Sequence, residues 1–301
     1  MTGLRFGVIG MSEGNGHPYS WSAIFNGYDR EAMRDCPFPA IPDYLSRQRF
    51  PEDAIPDAKV TEIWTENRDE AAQVARASRI ERVAGDFTDM VGRIDGLLLA
   101  RDDAENHERF AAPFLEAGIP VYIDKPLALG VAKAKSLFTR QRYPGQIFTC
   151  SALRYGREFQ IDDAARRELG DIRFIQGTTP KDWDRYAVHV IEPALTILGR
   201  QGAIVESSAW RSNGATVADM RWESGLGATF SSLGKIAAPI ALRVVGTKGY
   251  RDMVFADSFH AFKAALEVFV RAVRERREQI APEFVLDVVA AIEAGRKAMA
   301  H

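Results

Sequence analysis

A lysine and a histidine have the sequence context that favours proton-transfer or electrostatic chemistry. Lys125 directly follows the apolar run PVYID (120–124) and precedes Pro126. We therefore expect its ammonium group to project from the carboxyl end of a buried strand, where ligands bind in open α/β sheets. His189 lies in RYAVHVIEPALTIL (185–198), which has helical periodicity. An imidazole can take or give a proton near neutral pH.

The helix predicted over 185–198 carries polar residues at three- and four-residue spacing, so they share one face. These residues are Arg185, His189, Glu192 and Thr196. Pro193 lacks the N–H that would bond the carbonyl group of His189, so we expect a kink at that turn. A histidine on such a face is either functional or simply exposed to solvent, and the residues alone do not choose between the two.

The stretch GVIGMSEGNGHPYSW places a glycine-rich turn directly after an apolar run. A strand, such a turn and a helix N-terminus together surround a pyrophosphate with backbone N–H groups. The usual spacing, G-x-G-x-x-G, is only partly kept, because Ser12 replaces the second glycine after Gly10. Asn15 stands where the third glycine belongs, between Gly14 and Gly16. We predict that this turn wraps a dinucleotide pyrophosphate, with Ser12 or Asn15 adding a side-chain hydrogen bond.

The residues after the second predicted strand, KVTEIW (59–64), bear on which dinucleotide is bound. An acidic residue here, Glu66, would hydrogen-bond the ribose of NAD. Thr65 and Arg68 could instead accommodate the 2′-phosphate of NADP. The sequence leaves NAD and NADP open.

The first half of the chain alternates short apolar runs with helical stretches, the pattern of βαβ units and a parallel sheet. Predicted strands are LRFGVI (4–9), KVTEIW (59–64), DGLLLA (95–100) and PVYID (120–124), and predicted helices lie near 18–26, over 68–78 and over 105–118, with a short one in 86–93. We therefore predict a Rossmann-type parallel-sheet domain over residues 1–126.

The second half has several strands in succession, which predicts an α+β domain over 127–301 with a largely antiparallel or mixed open sheet. Predicted strands are 147–155, 171–179, 203–210, 216–222, 226–233, 241–246 and 250–254, and predicted helices are 159–168, 185–198, 259–277 and 282–300.

Residues 27–58 form an unusually long connection within the first domain, with five prolines. Its aromatic residues Phe38, Tyr44 and Phe50 require burial somewhere. We expect this insertion to border the active site or a subunit contact. The alternative is a surface excursion packed on its own domain.

The bulk composition of the 301-residue chain excludes several classes of protein. Its net charge of −2 favours neither nucleic-acid nor membrane partners. Two cysteines do not form a disulfide framework, and no residues have metal-ligand spacing. No apolar run is long enough to span a membrane. We expect a cytoplasmic protein without a metal.

The order of motifs resembles that of the Gfo/Idh/MocA oxidoreductases over nearly the whole chain. After the glycine-rich turn come DDAENH (102–107), EAGIPVYIDKPLA (116–128), LGDI (169–172) and HVIEPALTILG (189–199). The resemblance implies a Rossmann domain followed by a substrate-binding domain whose open sheet often forms oligomer contacts, so we expect a homodimer or homotetramer. It also implies NAD(P)-dependent hydride transfer on the hydroxyl or ketone of a sugar, sugar acid, cyclitol or nucleotide-linked sugar.

The resemblance assigns roles to individual residues. Lys125 and His189 match the catalytic positions. The family's Glu-Lys-Pro is DKP here, and its Asn-x-x-His is contracted to Asn106 and His107. The resemblance therefore implies further cofactor contacts at Ala100, His107, Asp124, Lys125 and Pro126.

One departure from the family lies four residues before His189. Many relatives carry Asp at that position, whereas this chain carries Arg185. Either Arg185 holds an anionic substrate or the proton relay differs from the common one. Further candidates for substrate binding are Arg154, Tyr155, Tyr186 and Glu192, although RYGREF (154–159) could equally be an ordinary sheet edge. A rival interpretation of the whole chain is a non-catalytic dinucleotide-binding sensor or scaffold.

Overall fold

The computed structural model describes residues 3–299, so residue 300 of the helix predicted over 282–300 lies outside the described residues. The polypeptide forms two compact units. The first unit contains the chain up to Asp124 together with Ser136–Thr149 and Phe262–Ile280. The second contains Lys125–Lys135, Cys150–Ala261 and the chain from Ala281 onward.

The first unit is built on a six-stranded sheet in which every neighbouring pair is parallel. Its strands are β1 (Leu4–Ile9), β2 (Ala58–Trp64), β3 (Arg82–Val83), β4 (Gly96–Leu99), β5 (Val121–Ile123) and β6 (Ile147–Phe148). The helices that follow β1, β2, β4 and β5 are α1 (His17–Asn26), α2 (Ala40–Ser46), α3 (Arg68–Ala77), α4 (His107–Glu116) and α5 (Val131–Thr139). The strand order β3-β2-β1-β4-β5-β6 is that of a Rossmann-type sheet and confirms the predicted fold class.

Two elements of the first unit differ from their predictions. The single strand predicted over 147–155 is wrong, because only Ile147–Phe148 is extended, and this strand pairs with β5. The side chain of Ser151 accepts the N–H of Leu153 and begins a 3-10 helix over Ala152–Tyr155, since such local bonds compete with a sheet ladder. The short helix predicted in 86–93 is a 3-10 helix over Phe87–Met90.

The second unit contains a six-stranded mixed sheet with the order β12-β11-β7-β10-β9-β8. Its strands are β7 (Ile172–Thr179), β8 (Ile204–Ser212), β9 (Ala215–Trp222), β10 (Gly227–Ser232), β11 (Ala241–Gly246) and β12 (Tyr250–Val254). Only β7 and β10 are parallel among these strands, which confirms the predicted open, largely antiparallel sheet. The remaining helices are α6 (Asp163–Leu169), α7 (Trp183–Tyr186), α8 (Val188–Leu198), α9 (Ser258–Glu275) and α10 (Pro282–Ala298).

The two faces of the second sheet differ. Strand β7 buries Ile175, whereas its alternate residues are exposed on the other face. The register places Phe174, Tyr250 and Trp210 on this open face, and each is at least one-third exposed. Large apolar side chains on one sheet face are a common feature of protein interaction surfaces.

The helix predicted over 185–198 is two helices, because α7 ends at Tyr186 and α8 begins at Val188. The face of the helix that carries His189 and Glu192 is buried, with these residues only 7% and 4% exposed, so the alternative in which His189 is simply exposed to solvent is wrong. The 3-10 helix over Ala152–Tyr155 covers that face of α8, and β7 covers another. Pro193 lies inside α8, which continues as one helix to Leu198.

Within residues 3–299, no helix combines the length and the hydropathy of a membrane span.

Candidate functional site

The glycine-rich turn connects the end of β1 to the first residue of α1 and has space only for glycine at its start. A Cβ atom on Gly10 would lie 2.2 Å from Cγ of Pro18, so the turn and the helix approach too closely for any side chain. Gly14 has a φ of +77°, which glycine adopts readily. Among the described residues, no acceptor takes the backbone N–H of Gly14 or Gly16. Such N–H groups at a helix N-terminus fit a pyrophosphate.

The polar side chains of the turn bond to the protein itself. Ser12 Oγ lies 2.8 Å from a carboxylate oxygen of Asp102 and accepts the backbone N–H of Asp102 at 3.2 Å. Asn15 donates from Nδ2 to Asp124 Oδ2 at 2.8 Å, and its Oδ1 accepts the N–H of His17 at 2.8 Å. Both side chains therefore fix the conformation of the turn, and the bond from Ser12 or Asn15 to a pyrophosphate stays a prediction.

His17 joins the turn to the residue before Lys125. Its Nδ1 lies 2.6 Å from Oδ2 of Asp124, the same oxygen that Asn15 contacts. The imidazole stacks on Trp21, with ring centroids 4.8 Å apart and an interplanar angle of 13°. The edge of the Phe262 ring packs against it at 5.0 Å. His17 was missing from the residues that we predicted to bind the cofactor, although its position directly after the glycines was a signal.

The insertion over 27–58 packs on the glycine-rich turn and on α1. A Cβ on Gly16 would lie 2.6 Å from both Phe38 and Ile41, so the insertion reaches the backbone of the turn. The hydroxyl of Tyr44 donates to Oγ of Ser20 on α1. Phe38 and Tyr44 are half-buried and pack on the first unit's own turn and helix.

The carboxyl end of β2 presents an acidic residue to solvent. Thr65 is buried and its hydroxyl donates to the carbonyl oxygen of Asn67. The side chain of Glu66 is 53% exposed and lies 3.3 Å from Arg101 and 3.8 Å from Arg109. Arg68 begins α3 and is exposed. Glu66 could therefore accept hydrogen bonds from a ribose at this edge of the sheet.

The segment after β4 is held by buried polar contacts. Arg101 bonds both oxygens of Asp103, at 2.9 and 2.6 Å. Burial opposes ionisation of Asp103, but hydrogen bonds from Arg101 and Asn106 outweigh it and hold the pKa of that carboxyl below its ordinary value. His107 is fully buried, and its Nε2 donates to the carbonyl oxygen of Arg101 at 2.8 Å. Ala100 is also fully buried, and its N–H bonds Ile9.

The second unit brings Lys125 and His189 to the same aromatic ring. Lys125 is buried directly before Pro126, and its Nζ lies 5.3 Å from the ring centroid of Tyr186. The imidazole of His189 contacts the same ring edge-on, with centroids 5.0 Å apart. Lys181 Nζ donates to the hydroxyl of Tyr186 and lies 4.3 Å from its ring centroid. Two predicted catalytic residues and one predicted substrate residue are therefore neighbours.

His189 is positioned by a network that the sequence did not predict. Its Nδ1 lies 2.9 Å from Oγ of Ser151, which is fully buried. The backbone N–H of Ser151 donates to Glu192 at 2.6 Å, and Arg154 donates to the other oxygen of Glu192 at 3.0 Å. Burial raises the pKa of the Glu192 carboxyl, and Arg154 and the Ser151 N–H offset this only in part. The network therefore joins α8 to the residues around the 3-10 helix over Ala152–Tyr155.

Of the remaining predicted substrate residues, Arg154 and Tyr155 adjoin this network, and Arg185 lies on α7. Arg154 is 5.5 Å from the ring centroid of Tyr155. Arg185 is half-buried on α7, and the carboxylate of Asp182 caps that helix by accepting the backbone N–H of Arg185. The acidic residue nearest to the family's usual aspartate, Asp184, is paired with Arg296 at 3.0 Å.

Two buried hydroxyl groups lie at the carboxyl ends of neighbouring strands. Thr179 of β7 and Ser232 of β10 are paired in register and face the helix-covered side of the sheet. Neither hydroxyl has a hydrogen-bond partner among the described residues. No group of His, Cys, Asp or Glu residues between positions 3 and 299 could hold a metal ion.

Comparison with known proteins gives a family and a fold. Residues 4–151 match the sequence profile of the Gfo/Idh/MocA family, described as an oxidoreductase family with an NAD-binding Rossmann fold. No curated protein sequence matches the chain significantly.

Solved structures share the fold over almost the whole chain. Scyllo-inositol dehydrogenase from Lactobacillus casei, with bound NAD(H) and scyllo-inositol, is 15% identical with a TM-score of 0.73, over 99% of this chain and 97% of that chain. Myo-inositol 2-dehydrogenase from Lactobacillus plantarum is 15% identical with a TM-score of 0.73, over 98% and 97%. UDP-N-acetylglucosamine 3-dehydrogenase from Acidithiobacillus ferrooxidans is 17% identical with a TM-score of 0.71, over 99% and 98%.

Proposed function

Because the chain belongs, through residues 4–151, to the Gfo/Idh/MocA family of oxidoreductases, we propose that it is an NAD(P)-dependent dehydrogenase of a polyhydroxylated substrate. The observation that carries the proposal is that Lys125 and His189 both lie beside the ring of Tyr186. The substrate would be a cyclitol, a sugar, a sugar acid or a nucleotide-linked sugar. The catalytic and substrate-binding roles below are part of the proposal.

The first unit would hold the dinucleotide. The free N–H groups of Gly14 and Gly16 suit the pyrophosphate, and Glu66 suits the adenosine ribose. When bound, the nicotinamide supplies hydride transfer to or from the reacting carbon. Asp124 is held by the turn and directly precedes Lys125, so the cofactor cradle and the catalytic lysine are consecutive parts of one network.

Lys125 would stabilise negative charge on the reacting oxygen. Its side chain is buried, and a cation in a water-poor site interacts more strongly with developing charge than it would in bulk water. The ammonium group would bond the oxygen most strongly when that oxygen has the most alkoxide character. This role requires Lys125 to remain charged and close to the substrate.

His189 would take or give the proton of the reacting hydroxyl. Ser151 contacts Nδ1 and thereby fixes the orientation of the ring, which directs Nε2 to the proton transfer. Ser151 would thus orient the ring of His189 in place of the aspartate that many relatives carry four residues before that histidine. This supports a proton relay that differs from the common one.

Two observations support the proposed substrate class: the polar side chains predicted to bind substrate, and the ligands for which enzymes of the same fold are named. Arg154, Tyr155, Arg185, Tyr186 and Glu192 offer several donors and acceptors around the proposed catalytic pair. Structures of the same fold include enzymes named for inositols and for a UDP-sugar, one of them with scyllo-inositol bound. A ring that bears many hydroxyl groups is the common chemistry of these ligands.

Purified protein with NADH, NADPH or their oxidised forms, and a panel of cyclitols, sugars, uronic acids and UDP-sugars, tests the proposal. Turnover is measured by nicotinamide absorbance and cofactor affinity by calorimetry. Turnover of at least one member of the panel is expected. Tight cofactor binding without turnover of any member would favour the sensor or scaffold instead.

We also propose that the open face of the second sheet joins copies of this chain into a homodimer or homotetramer. Phe174, Trp210 and Tyr250 expose apolar surface there, and burying it against a second copy would remove it from water. Light scattering of the wild type and of Trp210→Asp tests this. A smaller assembly is expected for the variant, and unchanged mass would contradict the proposal.

A further inference from the structure

Lys181 adopts a backbone conformation that is unusual for its residue type. Its φ is +64°, in the left-handed region where non-glycine residues are uncommon. The residue is held there by Gly234, because Lys181 donates its N–H to Gly234 at 2.6 Å and accepts the N–H of Gly234 at 2.9 Å. Residues kept in such conformations concentrate at functional sites. The side chain of Lys181 is therefore a candidate part of one.

The side chain of Lys181 reaches Tyr186, five residues further along the chain. Its ammonium group donates to the phenolic oxygen and lies 4.3 Å from the ring centroid. A lysine ammonium has three donors and no acceptor, so the tyrosine oxygen must accept this bond. The hydrogen of the tyrosine hydroxyl is then available for a bond to another acceptor, and that donor is strengthened by the cation behind it.

The Tyr186 ring lies beside both proposed catalytic residues. Lys125 Nζ lies 5.3 Å from the Tyr186 ring centroid, and the His189 ring lies 5.0 Å from it. The buried ammonium group of Lys125 is therefore a neighbour of the ring that carries this hydroxyl donor.

We propose that Lys181 is a positioning residue that orients and polarises the Tyr186 hydroxyl, and that this hydroxyl is a second donor, beside Lys125, to the reacting oxygen of the substrate. The inference rests on the proposed dehydrogenase function and adds Lys181 to it. The Tyr186 hydroxyl keeps its hydrogen throughout, and His189 remains the group that exchanges the proton. Two donors with a cation behind one of them match an oxygen whose negative charge grows during the reaction.

A double-mutant cycle separates this role from a structural one. Lys181→Met, Tyr186→Phe and the double variant are compared with Lys248→Met, in which an exposed lysine of the same unit is changed. If Lys181 acts through Tyr186, Tyr186→Phe should lower kcat by about 10²- to 10³-fold, the scale of one oxyanion donor, and Lys181→Met should lower it by a smaller factor. The double variant should lose no more than Tyr186→Phe alone, because Lys181 has no effect once the hydroxyl is absent. Lys248→Met should keep wild-type kcat.

Two further variants at position 181 address folding and chemistry. Lys181→Gly removes both the ammonium group and the unfavourable φ of a side-chain-bearing residue, so it should keep or raise the melting temperature while kcat falls. Lys181→Arg keeps a cationic donor and should restore most of the lost kcat. A Lys181→Gly protein with normal kcat, or losses in kcat that add in the double variant, would overturn the inference.

A measurement without turnover tests the contact itself. Acetylation of lysines by a water-soluble ester, followed by mass spectrometry, reports how freely each amine reacts. Lys181 should react several-fold faster in Tyr186→Phe than in the wild type, and Lys248 should not change. An unchanged rate at Lys181 would refute the contact. Absence of turnover by the wild type, with the expected acetylation pattern, would instead refute the proposed function and with it the catalytic role of the pair.

Discussion

Nδ1 of His17 and Oδ2 of Asp124 are 2.6 Å apart, although the two residues are separated by 107 positions in the chain. The contact links the first residue of α1 to the residue immediately before Lys125. Asn15 contacts the same carboxylate oxygen from the glycine-rich turn. A displacement of the turn would therefore reach the backbone of Lys125 through a single carboxylate.

His17→Phe should weaken this link while keeping an aromatic ring on Trp21. Loss of one donor to the buried carboxylate of Asp124 is expected to weaken NAD(P) binding by about 10-fold, the scale of one hydrogen bond to a charged group. We expect kcat to fall as well, because Asp124 adjoins Lys125. Calorimetry and steady-state kinetics measure the two effects, with His260→Phe as the matched control. Wild-type affinity in His17→Phe would show that the turn does not depend on this contact.

Gly10→Ala should abolish dinucleotide binding. The new Cβ would lie 2.2 Å from Pro18, which forces the turn away from α1. Gly92→Ala is the control, because Gly92 has a φ of +80° and its new Cβ would meet no atom within 4 Å, so this variant carries backbone strain without a clash. Binding is measured by calorimetry with NADH and NADPH. Normal binding by Gly10→Ala would mean that the turn does not approach the phosphates.

Lys125→Met and His189→Ala should separate charge stabilisation from proton transfer. Lys125→Met should cut kcat by roughly 10²-fold or more, the scale of one lost oxyanion donor. His189→Ala should cut kcat by roughly 10²- to 10⁴-fold and flatten the acidic limb of its pH profile. Pre-steady-state and steady-state absorbance measurements test both. Full activity in both variants would remove the proposed mechanism.

Glu66 should make the protein prefer NAD over NADP. Its exposed carboxylate at the carboxyl end of β2 can bond a ribose hydroxyl but would repel a 2′-phosphate. We expect NADH to bind at least about 10-fold more tightly than NADPH, a difference of roughly 1.4 kcal/mol. Glu66→Ser should narrow this ratio mainly by improving NADPH binding. A ratio that does not respond to the substitution would place the ribose elsewhere.

Asp103 should make part of the free energy of unfolding depend on pH in the acidic range. Its folded-state pKa is held below the ordinary value of 3.8, so its ionised form stabilises the fold at neutral pH. That contribution is lost as pH falls below about 3.8 and through the lower folded-state pKa, because the carboxyl then becomes protonated. Asp103→Asn should lower the free energy of unfolding at pH 7 by about 3 kcal/mol, since Arg101 loses a buried partner. Urea unfolding should show that this difference shrinks with acid, and a constant difference would contradict the assignment.

Sequence patterns predicted the elements that carry the site better than the contacts within it. The run GLLL of β4 is buried throughout. A strand covered on both faces must be continuously apolar, so the apolar run alone predicted its position. The position of Lys125 after an apolar strand likewise indicated that it lies at a carboxyl end.

The contacts that orient the site join residues far apart in the chain, and no local pattern encodes them. Ser151 and His189 are separated by 38 positions, and Asn15 and Asp124 by 109. Ser151 could be recognised only as a capping residue, and this was missed because the surrounding residues favour a strand. The residues alone left His189 either functional or exposed to solvent, because helical spacing shows which residues share a face and does not show what covers it.

The stack of His17, Trp21 and Tyr122 gives the molecule a built-in optical reporter. Trp21 is buried, and its ring centroid lies 4.8 Å from that of His17 and 4.6 Å from that of Tyr122. Indole emits in the near ultraviolet, where reduced nicotinamide absorbs, so energy transfer should dim Trp21 when reduced cofactor occupies the turn. Because the imidazole of His17 stacks on this indole and contacts Asp124, a change in the hydrogen bond to Asp124 should appear as a change in fluorescence lifetime.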